Sequence, residues 1–342
     1  MIEIDGSHGE GGGQILRTAL ALSAITKKEC RILNIRKGRE RPGLAHQHLL
    51  EVQTLSLLCQ GKLEGDFLGS KEIKFFPGKI KNGRQSFNIK VPAAESITLL
   101  LQGLLPFCLL SESPTTLIIE GGATDTFFSP TIDYFQYCFL RVLEKLGGKI
   151  EIEILKKGYY PEGNANLKIK IIPSKLKKIN LVERGEFKKI RVFSGASEFL
   201  KSKKVAERQL AGIREVLGEL NLNVEEKAEY YQTQCPGSQV CIICEFENTI
   251  IGTDGLGKFG KRAEDIGKET ALELLKEQKS NACLDKRLAD QILIYLALIE
   301  RKSSVTVSEV TEHCKTNIWV IEKFLEGNFE IKNNLIKRTP SL

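Results

Sequence analysis

The sequence predicts an α/β (α+β) fold in which a large domain of repeated units is interrupted by a smaller α/β domain. Three segments share the order and spacing of their strands and helices, and the segment between the second and third has a different pattern. The 342 residues, 42% hydrophobic and 27% charged, suffice for more than one core. We therefore expect a repeat-built domain over residues 1–179 plus 280–342 and an inserted domain over residues 180–279.

The first unit begins with a strand at residues 1–4, which leads into a glycine-rich turn and a helix from about Gln14. A basic loop at residues 36–43 and a second helix at residues 45–59 follow. Apolar residues at helical spacing predict the helices, and the glycines predict the turn.

The second unit repeats this order. It has a strand at residues 87–91, a helix from about Ser96, a turn at residues 121–130 and a helix at residues 131–146. The two helices of each unit start roughly 27 to 35 residues apart, the size of a helix-plus-strand crossover. We interpret the units as diverged repeats because they share spacing more than residue identities.

The third unit contains a helix from about Leu288, a segment around His313 and a helix that ends near Leu325. Hairpin-like strands close the units and are clearest at residues 149–155 and 166–172, where apolar and polar side chains alternate.

The inserted segment is predicted to form its own sheet and helices. The expected elements are a strand at 189–193, a helix at 200–220, strands at 224–231 and 240–247, a glycine-rich turn at 252–260 and a helix at 262–277.

Charge and hydropathy restrict the class of protein. The 50 Lys and Arg exceed the 43 Asp and Glu by 7, an excess that suits a polyanionic partner without proving one. The N-terminal residues show neither the basic region nor the apolar region of a secretory signal peptide. The most apolar stretch, residues 96–110, is interrupted by Gln102 and Pro106 and is too short to span a bilayer. We expect a soluble, cytoplasmic protein with reduced cysteines and no membrane partner.

The glycine-rich segment at residues 5–14 is the strongest local motif. Glycines between a strand and a helix let the backbone approach a ligand, and the helix N-terminus favours a phosphate. The segment is neither a P-loop nor a dinucleotide fingerprint. Glu10 is too exposed in such a loop for core packing and could hold a divalent ion beside phosphates. The alternative interpretation of this segment is a mobile tight turn. Arg17 lies one turn into the helix, and the alternative there is a solvated side chain.

The basic loop at residues 36–43 carries four cations. Such a run is often a solvated face. The alternative is a site for an RNA phosphate, which arginine can bind with two hydrogen bonds.

Cysteines and histidines offer fewer candidates. The nine cysteines form no disulfide framework, and Cys241 and Cys244 should point to opposite faces of one strand. His8 has no evident partner. His313 precedes residues 314–317 and a helix, where a Thr or Asn N-cap is expected. A histidine before a helix is often structural, so this position alone does not establish chemistry.

Taken together, these residues resemble the RNA 3′-terminal phosphate cyclases over nearly the whole chain. The resemblance rests on five segments, namely residues 5–17, residues 35–44 with 47–49, residues 158–163, residues 288–291 and residues 313–318. It implies a large domain of three βαβαββ-type repeats with a smaller insert of thioredoxin-like topology. It also implies ATP-dependent conversion of an RNA 3′-phosphate end to a 2′,3′-cyclic phosphate, with a divalent metal ion (Mg or Mn).

The resemblance assigns roles to individual residues of this chain. His313 matches the histidine that becomes adenylylated, Glu10 a carboxylate near the metal and phosphates, and Arg17 a nearby cation. The positions that match ATP contacts are Gln102, Pro130, Arg287, Leu288, Ala289, Asp290 and Gln291. Those that match the phosphate end of the RNA site are Arg36, Arg39 and Gln47.

This sequence departs from the family pattern at two places, and two other classes of protein are alternatives to a cyclase. Arg287 replaces a tyrosine of some relatives, although a guanidinium can also lie flat on adenine. Asn164 and Ala165 replace a glycine run that can follow Gly163. A non-catalytic relative that binds pre-ribosomal RNA would lack the histidine at position 313. An enolpyruvyl transferase, which shares the repeat architecture, would need neither that histidine nor the basic loop.

Overall fold

Three four-stranded sheets of the protein share one strand order, as seen in a computed structural model that describes residues 1–78, 83–218 and 222–341. In each of the three, the first two strands along the chain are parallel and the other neighbours are antiparallel. A helix joins the parallel strands, as such a crossover requires. The predicted mixed α/β fold of repeated units is confirmed.

The first unit contains β1 (Ile2–Asp5), α1 (Gly13–Thr26), β2 (Cys30–Leu33), α2 (His46–Cys59), β3 (Lys62–Glu64) and β4 (Ile73–Phe76). Its sheet has the order β1-β2-β4-β3. Both helices begin within about one residue of the predicted starts, because the glycine and proline signals that precede them are local.

The second unit contains β5 (Gln85–Ser96), α3 (Ile97–Leu109), β6 (Thr115–Ala123), α4 (Ile132–Tyr134), α5 (Leu140–Lys145), β7 (Lys149–Lys156) and β8 (Asn166–Ile172). A π-helical turn at Phe135–Phe139 joins α4 to α5. The sheet has the order β5-β6-β8-β7, and β7 and β8 form the predicted antiparallel hairpin.

A short strand, β9 (Asn180–Leu181), precedes the inserted segment. That segment contains β10 (Phe187–Ser197), a 3₁₀ turn (Glu198–Lys203), α6 (Val205–Leu217), β11 (Val224–Tyr231), β12 (Ser238–Phe246), β13 (Ile250–Leu256) and α7 (Ala263–Lys279). Its sheet has the order β11-β10-β12-β13. The thioredoxin-like assignment of this segment stays a prediction.

The third unit contains α8 (Lys286–Ala297), β14 (Ser303–Thr306), α9 (Glu312–Phe324), β15 (Gly327–Lys332) and β16 (Leu335–Pro340). Its sheet, β15-β16-β14-β9, takes its first strand from before the insert, since β9 pairs with β14 in parallel. We therefore propose that the inserted domain starts after residue 181 and not at residue 180.

One hydrophobic core joins the three units, and a second core lies in the inserted segment. Helix α1 is central, because it packs against α2, α3 and α9. Cys241 belongs to the shared core and Cys244 to the core of the insert, so the predicted opposite orientation is confirmed. All nine cysteines are free and buried.

Two predicted elements of the insert differ from the structure. Residues 252–256 of the predicted turn lie in β13, because the glycines there make room for close neighbours and do not reverse the chain. A Cβ atom at Gly252 would lie 3.2 Å from the Cys138 sulfur. The predicted helix at 200–220 begins as the 3₁₀ turn, and its last two residues lie outside the described ranges.

Within the described ranges, the structure contains no helix with the length and hydropathy of a membrane span.

Candidate active site

A cavity of about 780 Å³ lies where the three units meet the inserted segment. Its walls come from the glycine-rich loop, α1, α3, the loop before α4, the end of β13, α8 and the start of α9. A volume of this size suits a small-molecule ligand. The predicted site residues that line it are Glu10, Arg17, Gln102, Pro130, Arg287, Asp290, Gln291 and His313.

Two glycines explain how the first loop packs closely against α9 and α2. Gly9 has a φ of +56°, and a Cβ atom there would clash with the Thr316 hydroxyl of α9. A Cβ atom at Gly13 would clash with the His48 ring. Gly9 thus allows the close approach that places Glu10 beside α9, and Gly13 leaves room for the His48 ring of α2.

Side chains also hold this loop. His8 stacks on Trp319 with the ring centroids 3.9 Å apart and the planes 10° apart, so the expectation that His8 has no partner is wrong. The Ser7 backbone and hydroxyl donate to Asp5 at 2.9 and 2.7 Å, which lowers the pKa of the Asp5 carboxyl. These contacts argue against a mobile turn.

His313 lies in the first turn of α9 and not before the helix. Thr311 is the N-cap, and its hydroxyl accepts a hydrogen bond from the Cys314 backbone at 3.2 Å. The N-cap expected within residues 314–317 is therefore wrong. Asn317 instead faces α1 and α8, where it donates to the Asp290 carbonyl at 3.1 Å and its side-chain oxygen lies 2.9 Å from the Thr18 hydroxyl.

The His313 imidazole lies between two carboxylates. Nε2 contacts the Glu10 carboxylate, and Nδ1 lies 3.6 Å from the Asp290 carboxylate. The interactions with Asp290, and secondarily with Glu10, raise the pKa of His313 against the opposing effect of burial. The side chain keeps 47% of its surface exposed, so a ring oriented on both sides still faces the cavity. An oriented imidazole of this kind can act as a nucleophile.

Arg17 is held by the first unit and is not a solvated side chain. It is 17% exposed, and its Nη1 lies 3.4 Å from the Glu51 carboxylate, which is buried. The amide of Gln47 donates to the same carboxylate at 3.0 Å. A Cβ atom at Gly103 would lie 3.4 Å from the Arg17 Cγ, so α3 leaves room for the arginine beside the cavity.

The predicted ATP contacts divide into two groups. Gln102, Pro130, Arg287, Asp290 and Gln291 line the cavity. The side chains of Leu288 and Ala289 are buried in the shared core. These two side chains lie on the core face of α8, and the contact of positions 288 and 289 with ATP stays a prediction.

One aspartate connects Arg287 with the loop of Pro130. Asp254, at the end of β13, pairs with the Arg287 guanidinium and accepts a hydrogen bond from the Thr131 backbone at 2.6 Å. The Glu273 carboxylate lies 3.5 Å from the same guanidinium. The guanidinium is thus held by two carboxylates, and its carbon also lies over the Tyr134 ring, 6.0 Å from the ring centroid.

The basic loop lies beside the glycine-rich loop. Arg39 donates to the Glu10 carbonyl at 3.3 Å, and Arg36 donates to the Gly43 carbonyl at 3.0 Å. Burial lowers the pKa of Arg36, with a further effect from Arg39. Gln47 uses its amide to join Glu51 to the start of α3, and its role at the RNA end stays a prediction.

Comparison with known proteins identifies the family. The family model described as "RNA 3'-terminal phosphate cyclase" matches residues 8–331. The chain belongs to the RNA 3′-terminal phosphate cyclase family. A protein of that name from Pyrococcus furiosus is 42% identical over 98% of this chain and 96% of the relative. Those from Sulfolobus acidocaldarius and Archaeoglobus fulgidus are each 39% identical over 98% of this chain, and over 98% and 99% of the relatives.

Sequence reasoning missed several residues at the site of this cyclase-family protein, among them Asp254, Lys258 and Glu51. Asp254 and Lys258 belong to the stretch interpreted as a turn, although a charged residue between glycines was a signal for both. Glu51 has the helical spacing of a buried position in α2, and a carboxylate at such a position needs a partner.

Glu51 should make the stability of the protein depend on pH, and its replacement by glutamine should remove that dependence. Burial raises the pKa of Glu51 to about 7, and Arg17 and Gln47 counteract it only in part. The unfolded chain loses this proton at lower pH, so folding with an ionised Glu51 is penalised as the pH rises from about 4.5 to 7. Glu51→Gln changes the free energy of unfolding, and we expect this change to be more stabilising at pH 8 than at pH 5 by roughly 1–3 kcal/mol.

Chemical denaturation of both proteins at the two pH values measures this difference. Glu64→Gln, a change to an exposed carboxylate of β3, is the control and should show little of it. The same ΔΔG at both pH values would mean that Glu51 is ionised throughout.

Proposed function

We propose that this protein converts an RNA 3′-terminal phosphate to a 2′,3′-cyclic phosphodiester at the expense of ATP. The reaction would pass through histidine-bound AMP on His313 and an RNA-adenylate, and it would release diphosphate and AMP. The observation that carries the proposal is the His313 imidazole, oriented by Glu10 and Asp290 at the wall of the cavity that Arg17 also lines.

The two ring nitrogens of His313 would have different tasks. With its proton on Nδ1, beside Asp290, the neutral ring has a lone pair on Nε2. Nε2 attacks the α-phosphorus of ATP, the N–P bond forms and diphosphate leaves. The contact between Nε2 and Glu10 must open first, so binding of ATP and ionisation of the ring would compete at this position.

The second half of the reaction uses the activated phosphate. An oxygen of the RNA 3′-phosphate attacks the phosphorus of the bound AMP, and the N–P bond breaks. The neighbouring 2′-hydroxyl then attacks the RNA phosphorus, loses its proton to solvent, and AMP leaves. Activation is needed because neither hydroxide nor oxide is a good leaving group. Arg17 and Arg39 would stabilise the charge on the phosphoryl group.

The residues at the cavity fit both ATP and a divalent ion. Pro130 and Arg287 would hold the adenine, since Asp254 ties the loop of the first to the guanidinium of the second. Glu10 offers a partly exposed carboxylate as a metal ligand. Within the described ranges no three His, Cys, Asp or Glu side chains form a metal site, so phosphate oxygens and water would complete the coordination. A bound Mg²⁺ or Mn²⁺ would neutralise phosphate charge.

Labelled ATP and RNA test the proposal directly. The protein is incubated with α-labelled ATP and then with oligoribonucleotides that end in a 3′-phosphate or a 3′-hydroxyl. We expect acid-labile label on the protein, and a cyclic end only on the phosphorylated RNA. Absence of label together with RNA binding would favour a non-catalytic RNA-binding protein, and absence of both would refute the proposal.

The basic loop should matter more for RNA than for ATP. Arg39→Ala should slow AMP transfer from pre-adenylylated enzyme to RNA more than it slows self-adenylylation, because Arg39 does not line the cavity that His313 shares with the proposed ATP contacts. Loss of one phosphate contact should also reduce the log–log salt slope of RNA binding by somewhat under about one unit.

Single-turnover assays of the two steps measure this difference. Arg41→Ala is the matched control, because it removes an exposed arginine of the same loop and should have a smaller effect on transfer. Equal losses in both steps for Arg39→Ala would assign Arg39 to the ATP site.

A further inference from the structure

Two loops at the large cavity carry fully exposed phenylalanines. Phe128, in the loop between β6 and α4, lines the cavity and is 102% exposed. Phe259 is 110% exposed and directly follows Lys258, another cavity residue. An exposed phenylalanine costs solubility and adds nothing to a core, and two of them beside one cavity indicate a ligand surface.

The loop of Phe128 is held in an unfavourable conformation. Phe128 has a φ of +63°, in the left-handed region that bulky residues rarely adopt. The surrounding backbone is nevertheless well anchored. Ser129 donates to the Thr126 carbonyl at 2.9 Å, and Thr98 donates to the Pro130 carbonyl at 2.9 Å. Strain that anchoring contacts maintain is characteristic of ligand-binding positions.

Neighbouring aromatic rings extend this surface. Phe127 also lines the cavity and packs edge-to-face on Tyr160, with the ring centroids 5.7 Å apart. Tyr160 is itself 55% exposed. Phe127 and Tyr160 therefore support the loop from the side and leave the Phe128 ring free to stack on a ligand.

The charges beside these rings favour an anionic ligand. Lys258 forms no ion pair with any residue of the described part of the chain, whereas Lys286 pairs with Glu273 and Arg287 with Asp254. An unpaired cation next to exposed aromatic rings is the combination that binds single-stranded nucleic acid, with bases on the rings and phosphates on the cations.

We propose that Phe128, with Phe259 and Lys258, stacks the last nucleobases of a single-stranded RNA whose 3′-phosphate enters the cavity. This inference rests on the proposed function and names how the RNA end is held. The adenine of ATP is not the expected partner, because its proposed contacts, Pro130 and Arg287, are partly buried and tied together by Asp254. The Phe128 ring lies wholly in solvent, where a longer ligand passes out of the cavity.

RNA that lacks terminal bases tests the stack. The probes are 3′-phosphorylated oligoribonucleotides, either intact or abasic at the last two positions. For the wild-type protein, the abasic RNA should bind more weakly in fluorescence anisotropy, by roughly 5- to 100-fold. Phe128→Ala should weaken binding of the intact RNA by a similar factor and bind the abasic RNA about as well as the wild type does.

The control is Phe199→Ala, which removes another exposed phenylalanine that does not line the cavity. It should bind both RNAs like the wild type. If Phe128→Ala weakened binding of the abasic RNA as much as it weakens binding of the intact RNA, the proposal would be overturned. It would also be overturned if Phe128→Ala reduced self-adenylylation as much as AMP transfer, because equal losses would assign Phe128 to the adenine of ATP. Binding needs no turnover, so failure of the stack and failure of the cyclase reaction are distinguishable.

Discussion

His313→Ala is expected to abolish transfer of label from ATP to the protein and, with it, cyclisation of RNA. The ring lies between the Glu10 and Asp290 carboxylates, which orient it at the wall of the cavity. Loss of a nucleophile commonly lowers the rate by at least about a thousandfold. The fold should persist, because the imidazole is 47% exposed and the N-cap of α9 belongs to Thr311.

His46→Ala is the matched control for this variant. His46 is an exposed histidine that also lies in the first turn of a helix, but it does not line the cavity. Its removal should leave labelling unchanged. Circular dichroism and thermal unfolding of both variants check the fold, and full self-adenylylation by His313→Ala would refute the assignment of the nucleophile.

Glu10→Gln should cause the second largest loss. The change keeps the size of the side chain and removes the charge that would hold a divalent ion and that contacts His313 Nε2. Self-adenylylation should fall by roughly 10- to 1000-fold, in the range found when one group that stabilises transition-state charge is removed. It should recover in part at high metal concentration, because binding of the ion is weakened and not eliminated.

A titration of the rate with Mg²⁺ or Mn²⁺ measures this dependence. Glu312→Gln is the control, since Glu312 lines the same cavity but pairs with Lys315. Its metal dependence should match that of the wild type. If Glu10→Gln also had an unchanged metal dependence, Glu10 would be a residue that positions His313 and not a metal ligand.

The sequence by itself determined the elements that depend on local patterns. Alternation of apolar residues predicted the hairpin of β7 and β8, and also the opposite orientation of Cys241 and Cys244. The glycines before α1 predicted a backbone that can approach a ligand, and that approach stays a prediction. The motifs around Glu10 and His313 indicated the family, because the first is long and the second, although shorter, occurs in the right order and spacing along the chain.

Only the tertiary structure decided which residues act together. The first strand of the third sheet, β9, lies before the insert, and pairing with β14 cannot be deduced from two residues. In the sequence, Gly252 indicated a turn. Only the structure shows the neighbouring atoms that occupy the space a side chain at this position would need. The pairing of Asp254 with Arg287 joins positions on either side of α7.

The physical reason is the range of the interactions involved. A turn, a cap or an alternating strand depends on neighbours a few residues away, and the sequence contains them. Contacts such as those of Glu10 with His313 depend on packing between units, which brings together side chains far apart in the chain. The sequence therefore names the chemical groups of this site, whereas the packing of three repeats and an insert places them around one cavity.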